Sequence, residues 1–243
     1  MRLANKTALI TGGGSGIGAG CATALAREGC QVAIAGRQAE KLAEVAKRFD
    51  GTPAIKSHPV DVADRESVSA LFRWAEKELG RIDILVNCAG VNTVKRSIHE
   101  LVPEEWDRIM AINATGAYNC IREVLPQMKQ RRDGLIVNIN STSGVRAGVL
   151  GGVAYSASKF AMAALGITVA QEVREMGIRI TNIYPGEVDT PILDKRPVPV
   201  SAEHRAKILQ PEDVGAVLVT IASLPPRANV SEIVIKPTIQ AFS

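Results

Sequence analysis

Short runs of β-branched and apolar residues alternate with longer stretches of helical periodicity along the whole chain. The strand candidates lie at 7–11, 31–35, 54–60, 82–88, 134–140, 178–184 and 232–235. Helical patterns separate them at 16–29, 38–49, 64–79, 104–131, 153–176 and 211–224. Strands that alternate with helices pair in parallel, because each helix returns the chain to the end of the sheet where the previous strand began, and the twist of the strands makes these crossovers right-handed. The sequence therefore predicts an α/β protein with a doubly wound, seven-stranded parallel sheet and helices on both faces.

The chain length and composition fit one domain. With 243 residues, 46% of them hydrophobic, the chain can bury a core of the size that one α/β domain holds. No repeat or linker divides it, so we expect a single domain over residues 1–243. A proline-rich, charged segment at 191–205 follows the sixth strand, at the edge where open α/β sheets bind ligands. We expect residues 186–205 to form either a mobile lid over a substrate or a plain surface loop.

The charge distribution and the cysteines limit the classes of function. The formal net charge is +4, and its one dense group, Lys129, Arg131 and Arg132, is too small for a nucleic-acid surface. The cysteines form no CxxC pair and the histidines lie far apart, so neither disulfides nor a metal site is expected. No apolar run approaches the roughly 20 residues that span a bilayer, and the first strand leaves no room for a signal peptide. We expect a cytoplasmic protein that binds neither membrane nor nucleic acid.

A glycine-rich turn, Thr-Gly-Gly-Gly-Ser-Gly-Ile-Gly at 11–18, joins the first strand to the first helix. Such a turn brings backbone N–H groups and the positive end of a helix dipole to a pyrophosphate. No Gly-Lys-Ser/Thr follows, so a nucleoside triphosphate site is not indicated. A dinucleotide is the expected ligand, with a methyltransferase cofactor or an ordinary tight turn as alternatives. The contacts are expected from Gly12, Ser15, Gly16, Ile17 and Gly18.

The second strand ends in Ala-Gly-Arg at 35–37 and lacks the acid that would accept hydrogen bonds from a ribose 2′-hydroxyl. A guanidinium at that place clamps a 2′-phosphate and stacks on adenine, so Arg37 favours NADP over NAD. The alternative is an arginine that is only solvated at the start of a helix. Two further strand ends are expected to wall the adenosine, unless they form only a helix cap or a tight turn: Asp61, Val62, Asn87, Ala89 and Gly90.

The pattern Tyr-Ser-Ala-Ser-Lys at 155–159 lies in a predicted helix and puts Tyr155 and Lys159 on one helix face. A nearby ammonium favours phenolate, which lowers a tyrosine pKa from its usual value of about 10. Alone, such a pair is common on amphipathic helices. The preceding strand, however, ends in Asn-Ser-Thr-Ser-Gly at 140–144 and adds hydroxyls at the carboxyl edge of the sheet. Together these residues predict a site for proton transfer to or from a carbonyl oxygen.

These motifs together resemble the short-chain dehydrogenase/reductase family, of the compact single-domain type with a Rossmann fold. The similarity extends over nearly the whole chain, through Thr-Gly-x-x-x-Gly-x-Gly at 11–18, Asn-x-Ala-Gly at 87–90, Asn113, Ser141, Tyr-x-x-x-Lys at 155–159 and Pro-Gly at 185–186. The resemblance implies reversible hydride transfer between NADP(H) and a small-molecule carbonyl or alcohol substrate.

The resemblance also implies a role for each matching residue. Tyr155 would donate a proton to the carbonyl oxygen that Ser141 hydrogen-bonds, and Lys159 would hold the nicotinamide ribose. Asn113, expected within the long helix at 104–131, would complete a water-mediated proton relay. Thr190 matches the hydrogen-bond partner of the nicotinamide amide, and the remaining cofactor contacts are expected at Pro185, Gly186 and Val188.

Two features depart from the family pattern. One more residue separates Ser141 from Tyr155 than in many members, so Thr142 or Ser143 is an alternative source of the hydroxyl. Ser141 is preferred because the two residues after it and then Gly144 fit the family register. The tail lacks the frequent Asp-Gly-Gly ending and resembles that of an NADP-linked branch with members that act on serine and other 3-hydroxy acids.

Other classes of function remain as alternatives. A sensor that binds a dinucleotide without chemistry has the same fold, but the presence of Asn113, Ser141, Tyr155 and Lys159 favours an enzyme. A methyltransferase is disfavoured because Arg37 replaces the acid that would hold a ribose diol.

The helical patterns at 104–131 and 153–176 carry apolar residues beyond one stripe. Helices that are apolar on more than one face tend to be covered on both sides. Supported by the family's habit, this pattern predicts a homotetramer that uses these helices, with a dimer as the alternative. The loop cations are expected to be solvated rather than to bind an acidic substrate: Arg146, Lys195, Arg196 and Arg205.

Overall fold

The computed structural model describes residues 1–240. Its centre is a seven-stranded parallel sheet in the order β3-β2-β1-β4-β5-β6-β7. The strands are β1 Thr7–Thr11, β2 Gln31–Gly36, β3 Lys56–Pro59, β4 Ile84–Asn87, β5 Gly134–Ile139, β6 Ile178–Pro185 and β7 Glu232–Ile235. The strand order reverses between β1 and β4, which opens a crevice at the carboxyl ends of the strands. The predicted doubly wound Rossmann fold is confirmed, although β3 and β4 are shorter than the sequence pattern indicated.

Helices cover both faces of the sheet. The α-helices of the described residues are α1 Gly16–Arg27, α2 Ala39–Arg48, α3 Arg65–Leu79, α4 Pro103–Met110, α5 Gly116–Arg131, α6 Val153–Val173, α7 Ala202–Arg205 and α8 Pro211–Ala222. On one face, Leu25 of α1, Leu42 of α2 and Leu218 of α8 join one buried apolar cluster. On the other, Leu71 of α3 and Val124 of α5 join a second cluster. Because the sheet is covered twice, its inner strands β1, β2, β4, β5 and β6 are almost wholly buried, whereas the edge strands β3 and β7 are partly exposed.

The helix expected over 104–131 is interrupted, which corrects the prediction from the sequence. α4 ends at Met110, a π-helical turn follows at Ala111–Thr115, and α5 begins at Gly116. The π-helical turn carries Asn113, whose side chain bonds the backbone of Val91. A π-helical turn inserts an extra residue without ending the helix, and such turns are frequent at functional sites.

The segment after β6 contains more regular structure than the sequence indicated. A 3₁₀ turn spans Pro191–Lys195, and α7 follows at Ala202–Arg205. Val188 pairs with Leu209 in an isolated parallel bridge, which fixes the two ends of the segment to each other. We call residues 186–205 the lid segment.

Helix α6 lies in the core of the fold. The stretch Val153–Met176 is long and apolar enough to cross a membrane by length and composition, contrary to the expectation that no run approaches that length. The core helix of a globular domain meets the same criteria. Here α6 packs on β5 and β6, and its polar residues Ser158 and Lys159 are buried against the protein.

Three buried asparagines set the distance between α6 and the sheet. Asn87, Asn138 and Asn182 are paired in register on β4, β5 and β6. Asn87 Nδ2 donates to Asn138 Oδ1 at 2.9 Å, and Asn138 Nδ2 donates to Asn182 Oδ1 at 3.0 Å. Asn182 then donates to the Ala163 carbonyl of α6 at 3.3 Å. A Cβ on Gly166 would overlap the amides of Asn138 and Asn182, so glycine permits this close approach.

Candidate active site

One cleft of about 1030 Å³ crosses the carboxyl ends of the central strands. Most of the residues that the sequence singled out line it: Gly12, Ser15, Gly16, Ile17, Gly18, Arg37, Asp61, Val62, Ala89, Gly90, Ser141, Tyr155, Lys159, Pro185, Gly186, Val188 and Thr190. Asn87 and Asn113 lie beneath the cleft instead and are 2% and 0% exposed. The fold thus gathers segments from the whole chain into one cavity.

Glycine is required in the turn between β1 and α1. Gly12 has φ +70°, and a Cβ there would lie 2.7 Å from the Ala89 nitrogen. A Cβ on Gly18 would overlap the carbonyl of Gly12, so α1 begins directly against the turn. Around Gly14 an added Cβ would meet nothing closer than 3.5 Å. The bare backbone at the N-terminus of α1 fits the pyrophosphate of a dinucleotide.

Two charged residues flank the ends of β2 and β3. Arg37 is exposed and forms no hydrogen bond or ion pair with any residue of the described chain, so its guanidinium is available to a ligand. Asp61 is also exposed, and its Oδ1 accepts from the Ala63 N–H at 3.0 Å. This contact is the tight turn that the sequence left as an alternative, whereas the cap of α3 is Asp64. Asp61 itself lines the cleft.

Asn113 joins the end of β4 to α6. Its Oδ1 accepts from the Val91 N–H at 2.8 Å, and its Nδ2 donates to the Val91 carbonyl at 3.0 Å. The same Nδ2 donates to the Ser158 hydroxyl at 3.0 Å, which in turn donates to the Tyr155 carbonyl at 2.8 Å. Both amide protons of Asn113 are therefore engaged in holding neighbouring segments together.

Ser141 stands at the end of β5, before the 3₁₀ turn Thr142–Gly144. Its Oγ accepts from the Ser143 N–H at 3.1 Å, which fixes the side chain while leaving the hydroxyl proton free to donate. Thr142 and Ser143 line the cleft as well. Of the three hydroxyls, only that of Ser141 lowers the pKa of Tyr155.

The pKa of Tyr155 differs from the expectation drawn from the sequence. Burial raises the pKa of Tyr155 above its ordinary value. The Ser141 hydroxyl opposes this rise, the Cys88 thiol adds to it, and the Arg96 guanidinium opposes it. Lys159, expected to lower the pKa, is not among the groups that do so in this structure.

Lys159 is more deeply buried than its predicted position on a helix face beside Tyr155 indicated. Its side chain is only 4% exposed, and Nζ donates to the Ile139 carbonyl at 2.9 Å. Nζ lies 5.7 Å from the centroid of the Tyr155 ring. Burial lowers the pKa of Lys159 to about 8, with the Cys88 thiol opposing. The protein thus disfavours the charged form of Lys159 as well as that of Tyr155, which explains why the expected lowering is absent.

The lid segment closes one side of the cleft. A Cβ on Gly16 would lie 2.9 Å from Thr190 Cγ2, so the glycine turn and the lid segment touch. The Glu187 N–H donates to Gln240 Oε1 at 3.1 Å, which brings the C-terminal tail against the end of β6. Gln240 consequently lines the cleft.

The cations of the lid segment are paired with acids. Arg196 lies 3.2 Å from Glu187, and Arg205 lies 2.8 Å from Asp189. These arginines were predicted to be solvated, and the structure corrects this because both acids come from the lid segment itself. Their charges are therefore balanced without an acidic substrate.

Cys88, Arg96 and Gln240 are among the residues of the cleft wall that were not predicted as site residues from the sequence. Cys88 occupies the variable position of Asn-x-Ala-Gly, so its place beside the cleft followed from the strand end. Arg96 and Gln240 carry no motif, because both reach the cleft through contacts with residues far away in sequence.

The parallel sheet, the glycine turn at its switch point and the Tyr155–Lys159 pair define a dinucleotide-binding α/β protein. Comparison with known protein families identifies which family within this class the chain belongs to. A profile described as short chain dehydrogenase matches residues 6–198. The chain belongs to the short-chain dehydrogenase/reductase family of oxidoreductases.

Known proteins match this chain over nearly their full lengths. An uncharacterised oxidoreductase of Staphylococcus saprophyticus is 35% identical over 239 residues, covering 98% of this chain and 99% of that protein. An alcohol dehydrogenase of the archaeon Thermococcus sibiricus, solved with 5-hydroxy-NADP, is 27% identical with a TM-score of 0.88 and coverages of 98% and 99%. The closed form of a serine dehydrogenase complexed with NADP⁺ is 26% identical with a TM-score of 0.89 and coverages of 98% and 97%.

Proposed function

We propose that this protein is an NADP(H)-dependent oxidoreductase that interconverts a carbonyl and a secondary alcohol, with Tyr155 as its acid/base. One observation carries the proposal: Tyr155, Lys159 and Ser141 line the same cleft as the glycine turn at the N-terminus of α1. A proton donor and a dinucleotide cradle in one cavity are what carbonyl reduction requires. The NADP complexes of the two related structures support the choice of cofactor.

The cleft offers a separate group for each part of the cofactor. The glycine turn would hold the pyrophosphate, Arg37 the 2′-phosphate, and Asp61 with Val62 the adenine. Lys159 would hold the nicotinamide ribose, and Thr190 the nicotinamide amide. When bound, NADPH supplies the hydride that reaches the carbonyl carbon.

The protein's own residues would manage the proton and the developing charge. Tyr155 donates its proton to the carbonyl oxygen during reduction, and in the reverse direction its phenolate accepts a proton from the alcohol. Ser141 donates a hydrogen bond to the same oxygen as negative charge develops there. The side-chain amide of Asn113 is occupied by its hydrogen bonds to Ser158 and Val91, and Asn113 would hold these two residues in place. Any proton relay through Asn113 would therefore use its backbone carbonyl.

The test of the mechanism is turnover of Tyr155→Phe, which removes only the hydroxyl. With NADPH and a panel of small ketones and aldehydes, we expect a loss of at least about 100-fold in kcat with unchanged cofactor affinity. Full activity of this variant would refute the mechanism. A wild-type protein that binds NADPH tightly but reduces no carbonyl would instead indicate a dinucleotide sensor.

The preference for NADP rests on Arg37 and has its own test. Loss of a charge-assisted contact to the 2′-phosphate in Arg37→Ala should weaken NADP binding by about 10- to 100-fold. Binding of NAD, which has no phosphate there, should change little. Equal effects on both cofactors would overturn the assignment.

The fold also supports a homotetramer built through α4, α5 and α6. Trp106, Tyr118, Phe160 and Ile167 on these helices are 38%, 41%, 42% and 40% exposed, an unusual density of large apolar side chains on a surface. The four cysteines are free thiols, three of them buried and Cys88 partly buried, which fits a cytoplasmic location. The lid segment would cover a small-molecule substrate. A monomer in light scattering at micromolar concentration would refute the oligomer, whereas a dimer would restrict it to one interface.

A further inference from the structure

Arg96 is a buried cation in the wall of the cleft, where burial and the neighbouring Arg196 guanidinium both lower its pKa. Its side chain is 8% exposed, and no carboxylate within residues 1–240 pairs with it. An arginine cannot relieve this situation by losing its proton, because its guanidinium stays charged in proteins. Burying a charge is costly unless hydrogen bonds replace those to water. The location of its partners therefore shows what the residue stabilises.

The guanidinium donates to carbonyl oxygens of three separate segments. Nε donates to Thr93 at 3.0 Å, within its own loop between β4 and α4. Nη1 donates at 2.6 Å to Leu150, in the loop that precedes α6. Nη2 donates to Lys195 in the lid segment. These three segments form the substrate side of the cleft, so one planar group connects all of them.

The backbone of Arg96 also contacts the start of α6. The Val153 N–H, at the first residue of α6, donates to the Arg96 carbonyl at 3.2 Å. Gly152 has φ +82°, and a Cβ there would lie 2.5 Å from the Arg96 Cβ and 2.9 Å from its carbonyl. Arg96 is thus packed against the first turn of the helix that carries Tyr155. Its positive charge also lowers the pKa of Tyr155.

We propose that Arg96 is a positioning residue that couples closure of the lid segment to the placement of Tyr155. The coupling arises because the buried guanidinium makes all three of its carbonyl contacts only when the Leu150 and Lys195 carbonyls are both in place. If the lid segment moves away, an N–H of a buried cation loses its partner. The closed lid and the ordered start of α6 therefore stabilise each other. The proposal rests on the proposed function of Tyr155, but the contacts themselves are tested without turnover.

The experiment compares Arg96→Lys and Arg96→Gln with the wild type. An ammonium retains the charge but cannot place donors on three carbonyls in one plane, and glutamine removes the charge as well. Arg179→Lys is the matched control. Arg179, at the amino end of β6, also donates to backbone carbonyls, those of Leu224 and Ala228, at the opposite end of the sheet from the cleft.

The first readout is amide hydrogen exchange. Both Arg96 variants should speed exchange by about 10-fold or more at 145–152 and 191–205. Arg179→Lys should leave both segments unchanged. Unchanged exchange at these two segments in Arg96→Lys would overturn the coupling, whether or not the protein has reductase activity.

The second readout is kinetic and addresses Tyr155. Both variants should lose about 10- to 100-fold in kcat for carbonyl reduction, with NADPH affinity within about threefold of the wild type. In alcohol oxidation, the rise of activity with pH should move to higher pH in Arg96→Gln, because the charge that lowers the Tyr155 pKa is gone. In Arg96→Lys it should stay in place. Faster exchange with wild-type kcat and pH dependence would limit Arg96 to holding the lid and overturn its role at Tyr155.

Discussion

The buried position of Lys159 has a measurable effect on stability. Burial lowers its pKa from the ordinary 10.5 to about 8. Between these two values the unfolded chain retains the proton that the folded protein releases, so stability rises with pH over this range. Below the folded-state pKa, the lysine is charged in both states and the cost of burying the charge is fully present.

The variant Lys159→Met isolates this effect, because methionine fills the space without a charge. The linkage relation with these pKa values gives the wild type a gain of about 2 kcal/mol over the variant between about pH 7 and about pH 9.5. The change with pH carries the test, rather than the difference at one pH. Removal of Nζ also leaves the Ile139 carbonyl without its donor, which shifts the difference by a constant amount.

The assay is urea unfolding of both proteins at several pH values, followed by circular dichroism. Lys129→Met is the matched control, since Lys129 is exposed and its charge stays in water on folding. Its stability difference from the wild type should not change with pH. A difference between wild type and Lys159→Met that is flat from pH 7 to about pH 9.5 would refute the buried-ammonium reasoning.

The glycines give two further predictions, each with a matched control. Gly18→Ala should abolish dinucleotide binding in equilibrium titration, because its Cβ would overlap the Gly12 carbonyl at the cofactor cradle. Gly14→Ala should retain binding within about fivefold, as its Cβ meets nothing closer than 3.5 Å; equal losses in the two variants would contradict the cradle. Gly166→Ala should lower the free energy of unfolding by about 1–3 kcal/mol in thermal or urea unfolding, since the new Cβ would displace the hydrogen-bonded amides of Asn138 and Asn182. Gly148→Ala, with nothing within 4 Å of its added Cβ, should stay within about 0.5 kcal/mol and serves as the control.

The doubly wound parallel sheet and the position of the cleft could be inferred from the sequence because both depend on local patterns. Continuous apolar strands that alternate with helices permit few topologies, and the glycine turn marks the switch point. Residues four apart share a helix face, so the sequence could also predict that Tyr155 and Lys159 lie on the same side of a helix. These features need no knowledge of distant contacts.

The tertiary structure decided the local backbone conformation and the pKa values at the site. The helix predicted over 104–131 contains a π-helical turn at Ala111–Thr115, where the Asn113 amide bonds Val91, 22 residues earlier. The pKa of Tyr155 rises rather than falls because burial, which no local pattern reveals, acts on the phenol and on Lys159 alike.

The sequence alone determined the sheet, the glycine turn and the spacing of Tyr155 and Lys159, since hydrophobic periodicity and glycine placement act within one or two turns of the chain. Only the folded chain decided the partners of Arg96, which bonds carbonyls 54 and 99 residues away. Contacts of that range depend on how loops pack across the cleft, and no spacing rule encodes them. The pKa values of buried groups likewise depend on the tertiary structure, because these groups are removed from water only when the interior assembles.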